Sequence, residues 1–159
     1  MARKGRAVKR KIEKDPVYGS VLVSRLINRS MYEGKKSVAQ KEVYRAFEII
    51  KTKTNDEPLS VFEKAVETVK PEMEVRSRRV GGAAYQVPTQ VRGDRKISLA
   101  LRWLITAARA RSNSEFHTYG EKLAQEILDV LKGEGGAIKK KQDVEKQAEA
   151  NKAFSHFKW

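Results

Sequence analysis

Apolar positions recur at helical spacing along most of the chain, and one stretch breaks the rhythm. After Tyr18-Gly19-Ser20, the residues Leu22, Val23, Leu26, Ile27 and Met31 make one apolar stripe, and Gly34 is its predicted end. A second helix is predicted from about Lys36, with Ser37 as N-cap and Ala39, Val43, Ala46, Phe47 and Ile50 on its inner face. A third carries Leu59, Phe62, Ala65, Val66 and Val69 and stops at Pro71. The period then drops to two. Met73, Val75, Ser77 and Arg79 fall on one strand face, and Glu74, Arg76, Arg78 and Val80 on the other. Gly81-Gly82 supplies the turn, and Tyr85, Val87, Thr89 and Val91 alternate on the return. Pro88 cannot donate to a central ladder, so the ribbon is predicted to be two-stranded or edge-exposed. A lone hairpin is marginal in water, so its base must be anchored on helices while its tip projects.

Helical spacing resumes with Ile97, Leu101, Leu104 and Ala108, followed by Tyr119, Leu123, Ile127 and Leu131, with Asn113 or Ser114 as the expected cap of the latter helix. Residues 133–136 interrupt, and a weakly amphipathic tail with Val144, Ala148 and Phe154 completes the pattern. The chain therefore reads as mainly α, a single domain of about six helices over 15–159 with a protruding two-stranded β-hairpin at about 72–91. Trp103, Phe47 and Phe62 stand at core spacings. Phe154, Phe157 and Trp159 are expected to dock, either on the chain's own helices or on a partner.

Charge changes the picture. There are 34 Lys and Arg against 20 Asp and Glu in 159 residues, a net +14. Such an excess opposes compaction unless a polyanion neutralises it, so nucleic acid is the first partner class and an anionic membrane the second. The arm over residues 1–14 holds Arg3, Lys4, Arg6, Lys9, Arg10, Lys11 and Lys14 against Glu13 alone, and is expected to order only against an anion. No apolar segment follows it as in a signal peptide, and no apolar run approaches membrane-spanning length, so a soluble intracellular protein is expected. Cysteine is absent, which excludes disulfides and thiolate metal sites.

An enzyme is not expected. His117 and His156 have no metal-site spacing, so no metal and no cofactor is predicted. The run Gly133-Glu134-Gly135-Gly136-Ala137-Ile138-Lys139 lacks the glycine before the lysine and the hydroxyl residue after it that a phosphate loop requires, and it reads as a linker. The hairpin is the stronger candidate. Arg76, Arg78 and Arg79 place three planar guanidiniums on a ribbon, the glycines let backbone approach a sugar–phosphate chain, and Tyr85 offers a ring to an unpaired base. The competing reading is a solvated edge whose arginines block edge-to-edge pairing. Arg92, Arg95, Lys96, Arg102, Arg109 and Arg111 flank or line the fourth helix against Asp94, and Arg95, Arg102 and Arg109 share a face. By contrast, Asp56, Glu57, Glu63, Glu67, Glu72 and Glu74 outnumber Lys64 and Lys70, so the third helix is expected to face away from nucleic acid. Lys35-Lys36 and Lys139-Lys140-Lys141 are smaller clusters that fit solvation as well as binding. From composition alone, a DNA-architectural protein remains an alternative.

The run Val75-Arg76-Ser77-Arg78-Arg79-Val80-Gly81-Gly82-Ala83-Ala84-Tyr85-Gln86-Val87-Pro88, then Ala100-Leu101-Arg102-Trp103-Leu104, closely resembles the family of small-subunit ribosomal protein seven, bacterial or organellar type. Asn28 to Met31, Gly34-Lys35-Lys36-Ser37 and Ala148-Glu149-Ala150-Asn151-Lys152-Ala153-Phe154 extend the resemblance over essentially the whole chain. It implies a structural rRNA-binding protein that nucleates the head of the small subunit through the 3′ major domain, in the ribosomes of the cytoplasm or of an organelle. It implies rRNA contact on the arm, Lys35-Lys36, residues 76–79 and the 92–111 face. It places exit-site tRNA and mRNA beside Gly81, Gly82, Ala83, Ala84, Tyr85 and the last helix with Lys139, Lys140 and Lys141, and ribosomal protein eleven as a neighbour; neither membrane nor DNA is an expected partner. The chain departs from the family at Glu145-Lys146-Gln147, where a histidine followed by Lys-Met is common, and at Ala84 and Thr89-Gln90. The first departure makes the last helix more acidic and argues against RNA contact at Glu145.

Overall fold

A computed structural model describes residue 5 and residues 11–157; most of the basic arm, with Arg3, Lys4, Arg6, Lys9 and Arg10, lies outside the described residues, as does Trp159. Among the described residues are six α-helices, one two-stranded antiparallel sheet and a short 3₁₀ helix. Helix α1 (Val21–Ser30) starts where Ser20 Oγ accepts from the Leu22 N–H, and it ends at Ser30, before the predicted Gly34, because Met31 is extended. Helix α2 (Lys36–Thr54) is preceded by Lys35, with no side-chain cap, so Ser37 lies inside the first turn. It ends on Asn55, whose left-handed φ of 56° terminates the helix. Helix α3 (Pro58–Val69) begins with proline, whose fixed φ suits a first turn that needs no amide donor.

Strands β1 (Met73–Val80) and β2 (Ala83–Gln90) pair from Met73↔Gln90 to Val80↔Ala83, leaving Gly81-Gly82 as a two-residue turn with both φ angles positive. Helices α4 (Asp94–Ala110), α5 (Tyr119–Leu131) and α6 (Gly136–Ala150) follow, then the 3₁₀ helix (Lys152–Phe157). Neither Asn113 nor Ser114 caps α5. Thr118 does, in a reciprocal capping box with Glu121 whose Thr-x-x-Glu spacing is visible in the chain.

The predicted stripes converge on one core built around Leu26, Phe47, Ile50, Phe62, Leu101, Leu104, Leu123 and Ile127. Trp103 joins it, while Leu131 ends its helix 40% exposed, outside the core. The ribbon is anchored separately. Val87, Val91 and Ala148 are buried apart from the main core, where both strands contact α6 and β2 contacts the 3₁₀ helix. Burying each valine contributes about 1.5–3 kcal/mol, enough to hold a hairpin that would be marginal alone.

Candidate nucleic-acid interface

Three arginines meet where α1 packs on α4. Arg25 and Arg29 stand one turn apart on α1, a helix with no acidic residue, and Arg102 projects from α4 beside them. Arg29 donates to Ser98 Oγ at 2.7 Å, and Arg25 donates to Asp94 Oδ1 at 3.1 Å. Burial lowers the Arg29 pKa from its ordinary value, and repulsion from Arg102 and Arg25 lowers it further. The fold thus brings three guanidiniums together, one of them paired with Asp94, a repulsive arrangement that an anion relieves. Sequence reading found Arg102 and passed over Arg25 and Arg29; their spacing on an acid-free helix was the available signal.

The other arginines divide by what holds them. Glu74, counted from sequence among the acids of residues 56–74, is buried at the ribbon's base. Arg95 Nε lies 2.7 Å from its Oε2 and Arg76 Nε 2.7 Å from its Oε1. Burial opposes ionisation of Glu74, but hydrogen bonds from Arg95 and Arg76, with their charges, outweigh it and hold the carboxyl below its usual value. Both guanidiniums remain half exposed, so each can meet an external anion, and Arg95 also fixes the ribbon on α4. Arg79 and Arg92 are exposed, and Arg78 is half-buried.

Arg111 is engaged inside the fold. It donates to Glu126 at 2.9 and 2.6 Å and to Asp129 at 2.5 Å. Burial lowers its pKa, but the two carboxylates outweigh this and raise it. Glu126 is 1% exposed and its other oxygen accepts from the Ala137 N–H at 2.9 Å, capping α6. Gly135 permits that approach, since a Cβ there would meet Glu126 Oε1 at 2.9 Å. Lys122 Nζ completes the network, donating to Arg111 O and Asn113 Oδ1, both at 2.6 Å. Arg109 donates to Ser30 O at 3.0 Å and lies over the Tyr32 ring, 4.0 Å from its centroid. Burial raises the Tyr119 phenol in the same corner, where its hydroxyl lies 2.9 Å from Ser30 Oγ.

The remaining predicted positions separate in the same way. Lys11, Lys36, Lys139 and Lys140 are exposed, and Lys96 is half-buried. Lys35 pairs with Glu33 at 2.8 Å in full solvent, which is worth little. Lys141 reaches back to the Thr68 carbonyl at 2.9 Å, one residue before α3 ends, where the helix carbonyls favour a cation. Glu145 Oε1 accepts from the Glu72 N–H at 3.4 Å and so ties α6 to the entry of β1. Gly81, Gly82, Ala83 and Ala84 are exposed, but Tyr85 is not a free ring. Phe154 and Phe157 each lie 5.2 Å from its centroid, so these two C-terminal aromatics dock on the hairpin. On α3, Glu63 and Glu67 are exposed. Among the described residues no cluster of His, Asp or Glu is arranged to hold a metal ion, and no helix is long and apolar enough to cross a membrane.

Comparison with known proteins agrees along the full length. The family model "Ribosomal protein S7p/S5e" matches residues 2–152. The chain is 55% identical over 159 residues to small ribosomal subunit protein uS7 of Carboxydothermus hydrogenoformans, covering 100% of both chains. It is 56% identical over 157 residues to that of Thermotoga maritima, covering 99% of each. Against the uS7 protein of Nitratidesulfovibrio vulgaris it is 54% identical over 159 residues, again covering 100% of both.

Proposed function

Because the chain belongs to the ribosomal protein S7p/S5e family, and so is a non-enzymatic structural component of the small ribosomal subunit, we propose that it organises the subunit head by gripping the 3′ major domain of the rRNA with its α1–α4 face. The crowding of Arg25, Arg29 and Arg102 where α1 packs on α4 carries this reading. Phosphate contacts position a protein on RNA, and guanidiniums already oriented by Ser98 and Asp94 lose little freedom on binding them. Exposed Arg79, Arg92 and Lys36 supply further cations for the RNA, and the sequence of the basic arm adds more. The exposed glycine tip and Lys139-Lys140 face the exit-site tRNA and the mRNA path, and the side of α6 and the ribbon receives ribosomal protein eleven. The acidic α3 stays outside the RNA contact, in a ribosome of the cytoplasm.

The test is competition among a folded 3′ major domain fragment, a 5′ domain fragment of equal length and duplex DNA. Selective binding to the first supports the proposal; equal affinity for all three refutes head-specific recognition. Deleting residues 81–84 should leave rRNA affinity intact and speed tRNA release from the exit site of reconstituted subunits. Unchanged release would remove the tip from that role.

A further inference from the structure

Two of the few exposed large hydrophobics, Tyr32 at 64% and Val38 at 58%, stand on the wall of one open pocket of about 440 Å³. The pocket lies between the turn after α1, the start of α2 and the segment joining α4 to α5, and Arg109, Asn113 and His117 also line it. Its size falls in the range of small-molecule sites. A tyrosine in a loop is usually free to turn, but here Arg109 lies over one face of the ring, and the Ser30 carbonyl holds that guanidinium. The ring is thereby fixed with most of its surface in water. Asn113 Oδ1 already accepts from Lys122, so the side chain offers its NH2 group as a donor to the pocket. Glu42, the acid on the wall, is engaged by the Gly120 N–H at 2.7 Å.

We propose that this pocket receives a single unpaired nucleobase, stacked on the open face of Tyr32 against Val38. A preset aromatic face bordered by donors and cations matches the chemistry by which proteins hold splayed-out bases of single-stranded RNA. The proposal rests on the RNA-binding reading above and adds to it a contact made by stacking rather than by charge. Salt therefore separates the two. Losing a phosphate contact flattens the dependence of affinity on salt; losing a stacked base lowers affinity at every salt concentration alike.

The experiment uses the full chain and the folded 3′ major domain fragment, with base-specific chemical probing of the RNA. Tyr32→Ala should weaken binding about 5- to 150-fold, the equivalent of about 1–3 kcal/mol for one stacked base. It should also leave the salt slope unchanged and lose protection of one unpaired base. Tyr32→Phe should bind within about twofold of the parent, and Tyr32→Leu should fail like alanine because it keeps bulk without a π face. Affinity of Tyr32→Ala within about twofold of the parent would overturn the proposal. So would full activity of Tyr32→Leu, or an unaltered set of protected bases, as expected if the pocket served a protein segment. If the parent chain fails to bind the fragment at all, the rRNA reading falls and this one with it.

Discussion

Arg111 and Arg102 come from the same basic run yet should respond oppositely to removal. Replacing Arg111 with alanine strands Glu126, which is 1% exposed, without the partner that donates to it at 2.9 and 2.6 Å. Removing one member of a buried pair costs about 3–5 kcal/mol. The Asp129 side chain is 18% exposed and can turn toward water, so the lower end, about 3 kcal/mol, is expected. For a chain of this size that is a fall in Tm of about 6–12 °C. Arg102→Ala removes an exposed side chain and should change stability by no more than about 0.5 kcal/mol. Its effect belongs in binding, where the slope of log affinity against log salt should fall by about one. The assay is a thermal melt of both variants, followed by RNA titration of the folded proteins at several salt concentrations. If Arg111→Ala melts within about 2 °C of the parent while losing as much salt slope as Arg102→Ala, Arg111 is an RNA contact and its assignment to the buried network is wrong.

Two further outcomes follow from the ribbon. Glu74 has a depressed carboxyl in the folded chain, so its contribution is complete above the unfolded value near 4.5 and disappears as pH falls through the folded value. Melts between pH 7 and 3 should show the parent losing its advantage over Glu74→Gln below about pH 4.5; parallel curves would contradict this. Replacing both Phe154 and Phe157 with alanine removes two aromatic pairings with Tyr85 and should ease opening of β2 by about 1–3 kcal/mol. Hydrogen exchange should quicken around residues 83–86 and stay unchanged in α4; equal exchange in both proteins would show that the 3₁₀ helix does not brace the ribbon.

The chain's own pattern determined the helical stripes, the Gly81-Gly82 turn, the edge character imposed by Pro88 and the excess of positive charge. Periodicity, turn chemistry and net charge are local or additive properties, legible without knowing what lies across the fold. The ends of helices were less readily placed: the Thr118-x-x-Glu121 spacing that caps α5 is present in the chain, but Asn113 and Ser114 offered competing caps nearby. Which arginines face outward was decided by tertiary structure alone. Arg111 is tied down by a carboxylate 15 residues away, Arg95 by one 21 residues away, and Arg25 reaches 69 residues along the chain to Asp94. The same folding brought α1's arginines against Arg102 and withdrew Tyr85 from solvent onto the C-terminal aromatics. Whether a charge is available to a partner depends on burial and on the opposite charge within reach. Both are set by which elements pack together, and linear spacing does not contain that information.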